Sequence, residues 1–244
     1  MKKRILSFFR DLLDPDPEGL SNRINHNQLQ CFESVLRKAG RSLWNFKSIL
    51  EFGCGEGRFL ELINRLVTPP QLLGCDILPS RIQGCKNKLP HARIFRNQTL
   101  PPLDLADGTV EFLFSYSVFT HLSETNHLGW LRELARVLKP GGCMLHSFES
   151  GDFLWRARSF SPQVLPKYAI SPDDEKQLLD PTKPFYLYTV DEPKTPAYGP
   201  ALFNRAYVTA RWPEASGLRI EFIENGSVEA YPEGAHDLVL LSKP

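Results

Sequence analysis

Between Ser48 and Val67 the chain reads SILEFGCGEGRFLELINRLV, and three glycines at alternate positions, Gly53, Gly55 and Gly57, constrain what it can fold into. A short apolar run, Ile49-Leu50, leads into them and closes on the acidic Glu51. From Arg58 onward, Phe59, Leu62, Ile63, Leu66 and Val67 recur at three- and four-residue spacing, which predicts a helix. The stretch is thus expected to be a strand that turns sharply into a helix. Glycines permit the backbone angles of such a turn and let a ligand approach the main chain without meeting a Cβ. The helix start then offers free N–H groups and a partial positive charge to an anionic group. A glycine-rich turn that holds no ligand is the plain alternative.

Spacing separates the ligands that use such a loop. A dinucleotide fingerprint, G-x-G-x-x-G, would need glycine where Arg58 stands, and the phosphate loop G-x-x-x-x-G-K-[ST] is absent. The residues present, E-F-G-C-G-E-G, resemble the first motif of the class I S-adenosylmethionine-dependent methyltransferases. The resemblance implies that Glu51, Gly53, Cys54, Gly55 and Gly57 back onto the methionine part of the cofactor, with the acidic residue near its ammonium group. A second strand is expected over Gln71 to Cys75. Asp76 stands at its end, 23 residues beyond Gly53. A carboxylate there can accept two hydrogen bonds from a ribose diol, and Ile77 is placed to lie against adenine. A diol is common to dinucleotides and S-adenosylmethionine, so Asp76 does not choose between them. Capping of the following helix is its structural alternative.

The remaining chain continues to alternate. A helix over Asn25 to Ala39 is marked by Leu29, Phe32, Leu36 and Ala39, and in the family such a helix covers the cofactor site. A short helix is expected over Arg81 to Lys88, and strands over Ala92 to Phe95 and Val110 to Phe114. A long helix follows over Glu124 to Leu138, then strands over Cys143 to Phe148, Leu218 to Ile223 and His236 to Ser242. Phe203 to Trp212 reads as a helix. After the third strand the family carries an acidic residue for the adenine amino group. Here Asn97 and Gln98 stand instead, and either amide oxygen could accept that bond. S-V-F-T-H-L and W-L-R-E-L-A-R-V-L-K-P-G-G resemble the later block of the same family, so the likeness runs from about Ser48 to Phe148. It implies a Rossmann-like α/β fold: a doubly wound, mostly parallel seven-stranded sheet with an insertion after the fifth strand. Ligands bind outside the carboxyl ends of such strands, which would line up Glu51, Gly53, Asp76, Asn97, Tyr116 and Glu149 on one rim.

The organisation expected is an N-terminal helical segment (1–47), a cofactor-binding half (48–149), an insertion (150–200) and C-terminal elements completing the sheet (201–244). The insertion holds eight of the twenty prolines together with aromatics such as Phe153, Tyr168, Tyr186 and Tyr198. A connection of that length is expected to be a lid or substrate-binding segment. The N-terminal MKKRILSFFRDLL has too short an apolar run for a signal peptide. It reads as a surface helix, with a basic helix lying on a membrane as the alternative.

A formal net charge of +1 argues against nucleic acid as a partner. Five scattered cysteines without a C-x-x-C pair suggest a reducing, cytoplasmic compartment and no metal. No stable membrane insertion is expected, and the sequence leaves the oligomeric state open. These features together point to S-adenosylmethionine-dependent O-methylation of a small molecule, such as a sugar, glycan precursor or secondary metabolite. His121, just beyond the fourth strand, is the candidate general base. An NAD-dependent oxidoreductase and a non-catalytic methyltransferase-like binding protein are the alternatives.

Overall fold

In a computed structural model, the structure describes residues 19–160, 166, 168–189, 198–225 and 236–244. The basic N-terminal segment lies outside them. The apolar runs become strands β1 (Ser48–Phe52), β2 (Gln71–Asp76), β3 (Arg93–Arg96), β4 (Val110–Ser115) and β5 (Leu138–Phe148), which pair parallel with one another. β9 (Asp237–Ser242) pairs antiparallel with β5, and β8 (Arg219–Asn225) antiparallel with β9. One seven-stranded sheet results, in the order β3-β2-β1-β4-β5-β9-β8. It is doubly wound and mostly parallel, as the sequence predicts.

Helices cover both faces, because each strand buries side chains on both sides. On one face, α1 (Gly19–Lys38), α2 (Arg58–Leu66) and α3 (Pro79–Lys88) bury Leu29, Phe32, Leu36, Phe59, Ile63 and Ile82 against β1, β2 and β4. On the other, α4 (Glu124–Val137) and α7 (Arg205–Ser216) bury Trp130, Leu134, Tyr207 and Trp212. Phe32 is fully buried against Phe59, Phe114 and Tyr116. Burial of a ring this size is worth about 1.5–3 kcal/mol, which holds α1 over the carboxyl ends of β1 and β4.

Element boundaries differ from expectation where local chemistry overrides pattern. β5 begins at Leu138 rather than Cys143. Its Lys139-Pro140-Gly141-Gly142 segment joins the strand through an irregularity opposite Val110, with Gly141 at φ +74°, and exchanges backbone bonds with Lys243. The helix expected from Phe203 starts at Arg205, because Ala201–Phe203 forms β7 and pairs antiparallel with β6 (Tyr186–Tyr188). Asn204 then caps it through Tyr207 N, and the helix runs through Pro213 to a left-handed Gly217. The segment between β5 and β6 carries α5 (Gly151–Phe160) and α6 (Pro172–Leu179), packed through Phe153, Leu154, Tyr168, Leu178 and Leu202. Among the described residues, no helix is long and apolar enough to cross a membrane.

Candidate functional site

At the end of β1 the chain folds back on β2. Gly53 N and Cys54 N both donate to Cys75 O, at 2.8 and 2.9 Å, and Gly57 N donates to Cys54 O at 2.9 Å. The three glycines hold φ of +79°, +54° and +82°, a left-handed run that side chains disfavour. They face different surroundings. A Cβ on Gly53 would lie 2.4 Å from Val118 Cγ2, and one on Gly57 would lie 2.5 Å from Cys85 Sγ. A Cβ on Gly55 meets nothing nearer than Arg81 Cδ at 4.0 Å. The outer glycines are thus already required by packing, and Gly55 presents the open face of the loop. Cys54 is buried, and its free thiol donates to Gly55 O at 3.6 Å.

Three buried acceptors follow along the adjacent ends of β1, β2 and β3. Glu51 is 3% exposed, and its Oε2 has no hydrogen-bond partner. Burial pushes its carboxyl well above the usual carboxylate range, offset in part by Arg58. Asp76 accepts from Gly55 N through Oδ2 and from Leu78 N through Oδ1, both at 2.9 Å. It therefore braces the glycine loop and the start of α3, while each oxygen retains a lone pair. Asn97 donates from Nδ2 to Gln98 O at 2.8 Å, leaving its buried Oδ1 unpartnered. Of the two amides considered from sequence, Gln98 is the exposed one and Asn97 the buried one. Ile77 is half-buried beside Asp76, and its carbonyl accepts from Arg96 Nε at 3.1 Å.

Other expected site residues are held by aromatic neighbours. The Tyr116 ring is stacked on His236 at 4.9 Å and lies edge-on to Phe59. His121 ends a single 3₁₀ turn, Phe119–His121, and is half-buried. Its ring stacks on Tyr198 at 5.1 Å, Gly199 N donates to its carbonyl at 2.9 Å, and Leu122 bridges to Tyr198. Burial raises the Tyr198 hydroxyl pKa, while Arg81 lowers it and Asp76 raises it further. The chain returning from the insertion thus brings Tyr198 against the turn that follows β4. Tyr198 stood in the sequence as one aromatic among many, with no periodic signal to single it out.

Glu149, at the end of β5, is buried and committed elsewhere. Tyr168 of the insertion donates its hydroxyl to one carboxylate oxygen, and His236 Nε2 stands 3.3 Å from the other. His236 Nδ1 meets Ser147 Oγ at 3.0 Å, and that hydroxyl accepts from Ser117 N at 2.8 Å. The network ties the insertion to the ends of β4 and β5. Among the described residues, no group of three or more His, Cys, Asp or Glu could hold a metal ion.

Comparison with known proteins supplies the context for this rim. Residues 50–146 match the family model described as a methyltransferase domain. The chain is 31% identical over 101 residues to a probable S-adenosylmethionine-dependent methyltransferase of Mycolicibacterium smegmatis, covering 41% of this chain and 37% of the relative. It is 26% identical over 145 residues to a probable tRNA methyltransferase 9B of Mus musculus, covering 54% and 31%. A trans-aconitate 2-methyltransferase of Methylobacterium nodulans is 31% identical over 101 residues, covering 39% and 36%. The chain thus spans about a third of the length of these curated relatives. Among solved structures, an S-adenosylmethionine-dependent methyltransferase from Methanosarcina mazei superposes with a TM-score of 0.58 at 16% identity, covering 82% of this chain and 94% of that one. At that identity the likeness establishes the fold.

Proposed function

Because the chain carries a class I S-adenosylmethionine-dependent methyltransferase domain, we propose that it transfers the cofactor's methyl group to an oxygen of a small acceptor. One observation carries the cofactor half of this reading. Glu51, Asp76 and Asn97 present acceptor oxygens at the ends of three adjacent strands, and two of those oxygens, Glu51 Oε2 and Asn97 Oδ1, are buried with nothing to bond. Neighbouring strands lie about 4.8 Å apart, so the row spans roughly 10 Å. That suits an extended ligand with an ammonium at one end, a diol in the middle and an adenine amine at the other. Buried polar atoms without partners cost about 1–3 kcal/mol each, a cost that such a ligand would offset.

When bound, the cofactor supplies a methyl group made electrophilic by its sulfonium. The protein's own work is to hold and orient. Glu51 fixes the ammonium end, Asp76 stiffens the glycine loop while meeting the diol, and Asn97 meets the adenine amine. Gly55 leaves room for the ligand to lie on the loop. An acceptor held in line with the methyl carbon would then react through proximity. His121, fixed by Tyr198 at the rim, is the group we assign to take a proton from an acceptor hydroxyl.

Support for a small acceptor comes from the near-neutral charge and from the insertion, which returns across the rim at Tyr198. A relative that methylates trans-aconitate fits this reading, and a sugar or other hydroxylated metabolite remains within it. The tRNA methyltransferase relative favours a second reading, an RNA acceptor. A panel assay with methyl-labelled cofactor separates them. Small carboxylic acids, sugars and bulk tRNA are offered in parallel, and label is expected in a small-molecule product. Label in tRNA alone would replace the first reading with the second.

A further inference from the structure

Gln28 is an amide where an apolar residue would be expected. It sits on the inward face of α1 at 1% exposure, and among the described residues neither Oε1 nor Nε2 has a hydrogen-bond partner. Burying unpaired polar groups this way destabilises the ligand-free fold, and no described residue offsets it. Helix geometry says what the side chain adjoins. Residues three and four apart share a face, so Gln28 lies between Asn25 and Phe32. Asn25 Oδ1 accepts from Arg58 Nη1 at 3.0 Å, and the Phe32 ring lies 5.6 Å from Phe59 and 5.9 Å from Tyr116. Gln28 is thus bracketed by residues at the start of α2 and the end of β4. Arg58 directly follows the glycine loop and acts on the Glu51 carboxyl, which is itself one oxygen short of a partner.

We infer that Gln28 forms, opposite Glu51, the second half of a subsite for the amino-acid end of the bound cofactor. The inference rests on the cofactor reading above. Glu51 accepts from the α-ammonium, and the Gln28 amide N–H donates to the α-carboxylate. An amide suits the second task, since it offers donors without adding a charge beside Arg58.

The test compares S-adenosylhomocysteine with 5′-methylthioadenosine, which keeps the adenosyl half and lacks both ammonium and carboxylate. Binding of each is measured by calorimetry for the wild-type protein, Gln28→Met and Gln28→Ala. Met conserves volume and removes the unpaired amide, so the ligand-free Gln28→Met variant should melt no lower than wild type. Both variants should bind S-adenosylhomocysteine about tenfold or more weakly and bind methylthioadenosine unchanged. Unchanged S-adenosylhomocysteine affinity in folded Gln28→Met overturns the inference and leaves the cofactor reading standing. Equal weakening of both ligands also overturns it, assigning Gln28 to packing alone. Wild-type protein that binds neither ligand overturns the cofactor reading, and this inference with it.

Discussion

If Glu51 meets the cofactor's ammonium as proposed, ligand binding is a proton-linked event. Its carboxyl is buried and holds its proton well above the usual carboxylate value of 4.5. In the ligand-free protein, the folded state therefore binds the proton more tightly than the unfolded chain does. By linkage, stability is unaffected below about 4.5 and declines as pH rises from there through the raised folded pKa. An ammonium against Glu51 favours the ionised form, so binding should release a proton and tighten as pH rises through that window. Glu51→Gln should stabilise the ligand-free protein at pH 8, with the difference vanishing near pH 4.5. It should also weaken S-adenosylhomocysteine by about 1.5–3 kcal/mol, the range for a hydrogen bond to a charged group. Calorimetry in buffers of different ionisation enthalpy checks this, and a wild-type protein that releases no proton would remove Glu51 from the ammonium role. At this scale residue type and spacing placed the glycine loop and Asp76 at the ends of β1 and β2, and the family resemblance singled out Glu51. The sequence did not show Gln28, since a polar residue beside the Leu29, Phe32 and Leu36 stripe reads as solvent-facing.

The element that most changes the picture is the returning end of the insertion. Tyr198 bridges Leu122 and stacks on His121, and Gly199 N donates to the His121 carbonyl, so one short extended segment fixes the turn after β4. If His121 takes the acceptor's proton, His121→Ala should leave S-adenosylhomocysteine affinity intact and lower turnover of a hydroxyl acceptor by about 10²–10⁴-fold. The loss should shrink at high pH, where the acceptor ionises unaided. Tyr198→Ala should produce a smaller loss with the same pH trend, because it only frees the imidazole. Unchanged turnover in His121→Ala would leave proximity as the whole of catalysis. Most strands and helices were legible, since apolar runs and three-to-four spacing survive in β1, β4, α2 and α4. The β6–β7 pair and the Tyr198 crossing were not. They join residues distant in sequence through three-residue strands and an isolated bridge, too short to print any period.

At the scale of the whole molecule, the strand order puts β1, β2 and β3 side by side, with α1 packed through Phe32 over the end of the adjoining β4. Mostly parallel pairing from β1 to β5 points every one of those ends to the same rim. The antiparallel β9 and β8 complete the sheet and bring His236 beside Tyr116 and Glu149. Dinucleotide folds share the general plan of a doubly wound sheet with an acidic residue after β2, so fold alone does not select the ligand. On the proposed reading the glycine spacing and the Glu51 oxygen do, because a dinucleotide pyrophosphate would bring negative charge where Glu51 offers an acceptor. Calorimetric titration of the wild-type protein with S-adenosylhomocysteine and, separately, with NAD tests this most directly. Saturable binding of S-adenosylhomocysteine at one site per chain, with far weaker or no binding of NAD, is the predicted result. Tight NAD binding with no response to S-adenosylhomocysteine would contradict it.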